Sequence, residues 1–202
     1  ETAAKRGNAT AQYNLGLYYN QGSYGLTQSS TRAIEYYTLA ANQGDTSAQF
    51  NLGLMYAKGD GIGQSDKKAI EYYEMAAKGG DASAQYNLGV YYQHGVFGLT
   101  QSTTRAIEYY TLAAKQGYAE AQYNLGHMSA TGDGIEQSNS KARKWWTKAA
   151  AQGNELAIDN LKIMDEKERV KSSTTPPKVV DANIISCSTC GKQQTKEFRL
   201  GK

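Results

Sequence analysis

The sequence predicts an all-α protein, a solenoid of stacked antiparallel helix pairs, on three observations. First, AQYNLG or AQFNLG stands at Ala11–Gly16, Ala48–Gly53, Ala84–Gly89 and Ala121–Gly126, followed by a worn AIDNLK at Ala157–Lys162. The starts are 37, 36, 37 and 36 residues apart, and a fixed period of roughly 20–50 residues is the mark of a solenoid. Second, each period holds two stretches of helical apolar spacing. Third, glycine clusters separate those stretches.

The second unit shows the pattern. Ala48, Leu52, Met55 and Tyr56 fall at i, i+4, i+7 and i+8, one face of a first helix. Gly59-Asp60-Gly61-Ile62-Gly63 breaks it. Ser65 or Asp66 then caps a second helix whose buried face is Ala69, Tyr72, Tyr73, Ala76 and Ala77. Gly79 or Gly80 supplies the left-handed residue that ends it. Repeats are expected over 8–44, 45–80, 81–117 and 118–153. Residues 1–7 match the end of a second helix at a shift of 37 residues (Ala3-Ala4-x-x-Gly7 against Ala40-Ala41-x-x-Gly44), the remnant of a truncated preceding repeat. Residues 154–171 read as a charged capping helix that closes the stack. Residues 172–183 read as a Ser/Thr/Pro linker and 184–202 as a separate tail.

The alternating beat has a local cause. From loop glycine to second-helix alanine the distance is 11, 10, 11 and 10 residues, so the odd loops carry one extra residue. GLTQSSTRAIEYYTLAA at Gly25–Ala41 recurs as GLTQSTTRAIEYYTLAA at Gly98–Ala114, which points to duplication of a two-unit block. Gly16, Gly53, Gly89 and Gly126 lie inside first helices, where glycine costs about 1 kcal/mol against alanine. They are expected to admit a close second helix, with the paired alanines Ala40-Ala41, Ala76-Ala77, Ala113-Ala114 and Ala149-Ala150 facing them, small against small. Ser129 replaces the tyrosine of the other first helices, which predicts looser packing of the fourth.

The units resemble Sel1-like repeats. The second unit carries Ala48-x-x-x-Leu52-Gly53-x-x-Tyr56-x-x-Gly59-x-Gly61 and Lys68-Ala69-x-x-Tyr72-Tyr73-x-x-Ala76-Ala77-x-x-Gly80; the fourth has Trp145-Trp146 as its aromatic pair. That resemblance implies a right-handed α-solenoid similar to tetratricopeptide arrays, whose own period is nearer 34 residues. It also implies a non-catalytic scaffold that binds protein or peptide partners in a concave groove lined by first helices.

A helical wheel with Leu52 inward places Phe50 and Leu54 on the groove side, with Tyr13/Leu17, Tyr86/Val90 and Tyr123/His127 at the matching positions. These are the candidate partner-binding residues, as flat aromatic anchors; the competing role is packing between neighbouring helices. Asn14, Asn51, Asn87 and Asn124 form a second ladder, suited to clasping a peptide main chain or to bonding inward to a loop.

A net charge of +3 is too weak and too evenly spread to argue for nucleic acid or an anionic membrane. No apolar run reaches the ~18 residues of a membrane helix. A monomeric array without cofactor, in a reducing cytoplasmic or nuclear setting, is the expectation. His94 and His127 stand apart with no clustered carboxylates, against a metal or catalytic role. No S-x-x-K, G-x-S-x-G, H-E-x-x-H or phosphate-loop pattern appears, so catalysis is not expected.

Cys187-Ser188-Thr189-Cys190-Gly191-Lys192 brings two sulfurs together as half of a tetrahedral zinc site. The stretch resembles the opening of a MYND-type zinc finger, which implies zinc in a longer chain and an alternative function as a zinc-finger regulatory protein with the array as an accessory domain.

Overall fold

The computed structural model describes residues 2–174. Among them are ten α-helices and no strand: α1 (Thr2–Lys5), α2 (Ala9–Gln21), α3 (Ser30–Ala41), α4 (Thr46–Lys58), α5 (Asp66–Lys78), α6 (Ala82–His94), α7 (Thr103–Lys115), α8 (Ala119–Thr131), α9 (Asn139–Ala150) and α10 (Glu155–Thr174). The chain divides into two units after Asp165. The first is a right-handed α-solenoid in which α2/α3, α4/α5, α6/α7 and α8/α9 pair, and each pair packs on the next through α3/α4, α5/α6 and α7/α8. The second begins at Glu166 with the remaining turns of α10. That helix continues to Thr174, so Ser172 and Ser173 are helical rather than linker; their hydroxyls donate back to the Arg169 and Val170 carbonyls.

Caps punctuate the array. Ser29, Ser65, Ser102 and Ser138 start the second helices, each hydroxyl accepting from the amide three residues on. Asn8, Asp45 and Asp81 do the same for first helices, but Tyr118 has no side-chain cap bond. The glycine that ends α5 in left-handed geometry is Gly80 (φ 97°); Gly79 stays right-handed at φ −75°.

The helical glycines do admit the second helix, but their partner is not the paired alanines. A β-carbon on Gly16, Gly53 or Gly89 would come within 2.7, 2.9 or 2.6 Å of the Tyr37, Tyr73 or Tyr110 ring, and one on Gly126 would strike Trp146. Tyr37, Tyr73 and Tyr110 are fully buried as a result. A ring lying flat on a first helix requires bare backbone beneath it, which is why glycine recurs there despite its helix penalty. The paired alanines sit elsewhere, at the turn into the next repeat, where Asp45, Asp81 and Tyr118 amides donate to the carbonyls of Ala40, Ala76 and Ala113.

A buried glutamine ladder ties successive repeats. Gln12, Gln49, Gln85 and Gln122 each donate through Nε2 to the carbonyl of Ala4, Ala41, Ala77 or Ala114 in the preceding second helix, or its equivalent in α1, at 3.0–3.2 Å. Each therefore carries one hydrogen bond across a repeat boundary, to a helix-end carbonyl that also accepts from the amide of the turn glycine, Gly7, Gly44, Gly80 or Gly117.

The extra residue of the odd loops is an aromatic in left-handed conformation, Tyr24 (φ 55°) or Phe97 (φ 56°), packed on Tyr18 or Tyr91 at ring distances of 4.3 and 4.6 Å. Even loops instead press on the second helix of the preceding repeat: Gly61 lies against Ser30 and Ile34 of α3, Gly134 against Thr103 and Ile107 of α7, and Ser30 donates to Asp60 at 2.7 Å. Gly25 and Gly98 face open space. The duplicated two-repeat block is thus closed by a tight loop contact inside each block.

Candidate partner-binding stripe on the first helices

Tyr13, Leu17, Phe50, Leu54, Tyr86, Val90 and Tyr123 are all half-buried, and His127 is exposed. The aromatic members rest on the buried ring of their own repeat. Centroid distances are 5.9 Å for Tyr13–Tyr37, 5.7 Å for Phe50–Tyr73 and 5.9 Å for Tyr86–Tyr110. In the fourth repeat the Trp146 indole N–H donates to the Tyr123 carbonyl at 3.2 Å. Helical spacing therefore brings one aromatic in each of the first three repeats onto a tilted buried ring, a favourable geometry for aromatic pairs. Phe50 and Leu54 pack against a cluster that joins the second helix of their own repeat to the first helix of the next, as Tyr86 and Val90 do in theirs, so the stripe serves the repeat junctions with part of its surface.

Tyr86 meets Tyr118 across a repeat boundary at 5.0 Å. Burial raises the Tyr86 hydroxyl above the usual phenol value; Glu120 and Tyr118 add to the rise and hydrogen bonding to Asn124 opposes it. Tyr118 is raised by burial and by Glu120, and contact with Ser83 opposes it.

All four ladder asparagines are half-buried. Asn51 donates to the Ser47 carbonyl one turn back at 2.9 Å. Asn124 lies beside the hydroxyls of Tyr86 and Tyr110 in the preceding repeat and offsets part of the rise that burial gives both phenols. In these two the amide works inside the array, toward its own helix or a neighbouring repeat rather than toward a loop. The buried glutamines were the functional-looking polar residues that sequence reasoning passed over. Their signal was available: a polar residue between alanine and the aromatic in every copy of the hexapeptide.

His94 and His127 are both exposed and lie in different repeats. Among the described residues no group of three or more His, Cys, Asp or Glu side chains could hold a metal ion. None of their helices is long and apolar enough to cross a membrane. Cys187 and Cys190 lie outside the described residues.

The Sel1 repeat family model matches residues 9–45, 46–81, 82–118 and 119–154. The chain belongs to the Sel1 repeat family. Among solved structures it is similar to c5321, a protective antigen of uropathogenic Escherichia coli with an SLR fold (36% identity, TM-score 0.78), over 83% of this chain and 35% of that one. It is similar likewise to a Sel1 repeat protein of Oxalobacter formigenes (36% identity, TM-score 0.73), over 79% of this chain and 64% of that one. The chain thus spans about a third of the first and under two thirds of the second. Cysteine rich protein B of Helicobacter pylori shares the fold at 23% identity and a TM-score of 0.51, covering 63% of this chain and 91% of that one. Among curated proteins none matches the chain. The comparisons give the zinc-finger resemblance no support.

Proposed function

We propose that the array is a non-catalytic, monomeric scaffold that holds a peptide segment or a folded domain along the groove formed by its first helices. Tyr13, Phe50, Tyr86 and Tyr123 are the anchors, Leu17, Leu54, Val90 and His127 flank them, and the groove-side asparagines contribute polar contacts. Sel1 repeat proteins are typically protein-interaction scaffolds. The observation that carries the reading is the recurrence of a half-exposed aromatic held from behind by a buried ring in each of the first three repeats, with the half-buried Tyr123 at the matching position of the fourth. A ring fixed before binding loses little rotamer freedom on contact, so more of its apolar burial appears as affinity.

The test is selection of binding peptides from a random library on the intact chain, followed by affinity measurement on wild type and the Tyr86→Ala, Val90→Ala double variant. Loss of affinity of about tenfold or more, as expected when a hot-spot aromatic is truncated, supports the groove. Unchanged affinity with unchanged helical content overturns it.

A further inference from the structure

The first three repeats share an aromatic arrangement on their second helices that the fourth breaks. Tyr19, Tyr56 and Tyr92 of the first helices stack on Tyr36, Tyr72 and Tyr109 of the second helices at 5.7, 5.6 and 5.7 Å, with interplanar angles of 4°, 11° and 7°. A second-helix cation covers each of those first-helix rings: Arg32, Lys68 and Arg105 at 5.2, 5.0 and 5.1 Å. Ring, ring and cation close on one another within the protein.

In the fourth repeat the first-helix tyrosine is Ser129, which turns its hydroxyl back to the Leu125 carbonyl at 2.7 Å. Trp145 occupies the place of Tyr36, Tyr72 and Tyr109, and among the described residues no ring stacks on it. Lys141, the counterpart of the covering cation, has only an exposed pair with Glu136 at 3.5 Å, an interaction of little worth in water. Lys144 stands where Glu35, Glu71 and Glu108 stand in the other repeats, and Lys148 where Leu39, Met75 and Leu112 stand. The Lys148 ammonium sits 4.9 Å from the Trp145 ring centroid. The outer face of α9 has therefore become cationic around a half-buried indole. Lys141, Arg143, Lys144, Trp145, Thr147 and Lys148 line an open depression there of about 560 Å³. Arg143 is held by Asp165.

We propose that this face of α9 binds a polypeptide segment in which one aromatic side chain is flanked by carboxylates. The aromatic ring lies on Trp145, and the carboxylates pair with Lys141, Lys144 and Lys148. The other repeats show that a ring at this position accepts a stacked tyrosine at 5.6–5.7 Å; in the fourth the first-helix side is closed, Ser129 being 1% exposed, so the partner's ring is offered from the α9 depression. Charge supplies the flanks, because three lysines surround the indole with no acid in the Lys144 position. The footprint fits as well: Lys141 to Lys148 spans about 10 Å of helix, the reach of about three extended residues. The surface lies on a second helix, apart from the first-helix stripe, and stands or falls separately from it.

The test titrates the intact chain with acetyl-Glu-Glu-Tyr-Glu-Glu-amide while following the Trp145 indole N–H resonance. A saturable shift is expected. Replacing the peptide tyrosine by alanine, or its glutamates by glutamine, is expected to weaken binding by about tenfold or more, as for loss of a stacked ring or of several charge pairs. The Lys144→Glu, Lys148→Leu variant restores the face of the first and third repeats at exposed positions and should lose binding to a similar extent. The proposal is overturned by the absence of any Trp145 shift at millimolar peptide, by equal binding of the alanine peptide, or by undiminished binding to the lysine variant. It is equally overturned if a short single-stranded oligonucleotide or an anionic phospholipid vesicle shifts Trp145 and the peptide does not.

Discussion

Gly79 and Thr46 compete for one space: a β-carbon on Gly79 would collide with the Thr46 methyl group. The matching positions in the other repeats read Gln43 with Ala9, Gln116 with Ala82 and Gln152 with Ala119. There the second glutamine donates to the buried one, Gln43 to Gln12 at 2.6 Å, Gln116 to Gln85 at 2.8 Å and Gln152 to Gln122 at 2.9 Å. With glycine at 79 that donor is missing, and the Gln49 Oε1 is buried without a partner. A buried unmade hydrogen bond costs about 1–3 kcal/mol. Gly79→Gln alone should be neutral or destabilising because of Thr46. Gly79→Gln with Thr46→Ala should stabilise the protein by about 1 kcal/mol. Urea unfolding of the four members of this cycle measures the coupling; strict additivity would refute it.

A second contrast lies between Tyr37 and Tyr110. The Tyr110 hydroxyl donates to Gln93 Oε1 at 2.6 Å. Asn20 replaces that glutamine in the first repeat and is one methylene shorter, and the Tyr37 hydroxyl is buried without a partner. Tyr37→Phe should therefore be neutral or stabilising near pH 7, whereas Tyr110→Phe should cost about 1 kcal/mol. Asn20→Gln should stabilise the wild type but not the Tyr37→Phe background.

Alkaline pH should separate the same residues. Burial raises both hydroxyls above the ordinary phenol value, with smaller contributions from Tyr13 on Tyr37 and from Tyr86 on Tyr110. A phenol raised in the folded state keeps its proton there while the unfolded chain loses it. Stability is thus complete below about pH 10, the unfolded value, and falls as pH rises beyond it. Melting temperatures between pH 9 and 11 should decline less steeply for Tyr37→Phe than for wild type; identical slopes would contradict this.

Glycine positions give a third test. Gly89 lies under the Tyr110 ring, and a β-carbon there would stand 2.6 Å from it. Gly89→Ala should cost about 2–3 kcal/mol through forced repacking, despite alanine's better helix propensity. Gly63 has no positive φ and nothing within contact of a β-carbon. Gly63→Ala should be neutral or stabilising by about 0.5 kcal/mol. Thermal or urea unfolding of both variants reads the difference, and equal effects would refute the ring-over-glycine account.

The periodicity made the helix pairs legible, because spacing and capping residues act locally: Ser65 and Gly80, each offered as one of two options, are the residues that cap and close α5. The partner of the helical glycines was not legible. Close approach follows from glycine, but whether an alanine or a tyrosine ring approaches depends on which second-helix residue faces the first helix, a matter of inter-helix rotation. The same limit applies to the stripe. A wheel shows that Tyr86 and Val90 share a side; it does not show that Tyr86 rests on Tyr110 and Tyr118 with only part of its surface left open. The glutamine ladder bonds across a repeat boundary, a distance that single-helix reasoning does not see. The looser packing expected of the fourth first helix is not seen: Ser129 is 1% exposed and α8 pairs with α9 as closely as its counterparts do, and what changes instead is that Trp145 lacks the stacked tyrosine of the other repeats.

The central claim is that the four first-helix aromatics, three of them resting on a buried ring, form one continuous binding surface. Its most direct measurement is the change in side-chain resonances of the intact chain on saturation with a library-selected peptide. The account predicts shifts at Tyr13, Phe50, Tyr86 and Tyr123, in a contiguous run of at least two repeats. Shifts confined to the glycine loops or to α9, with all four aromatics unmoved, would contradict it.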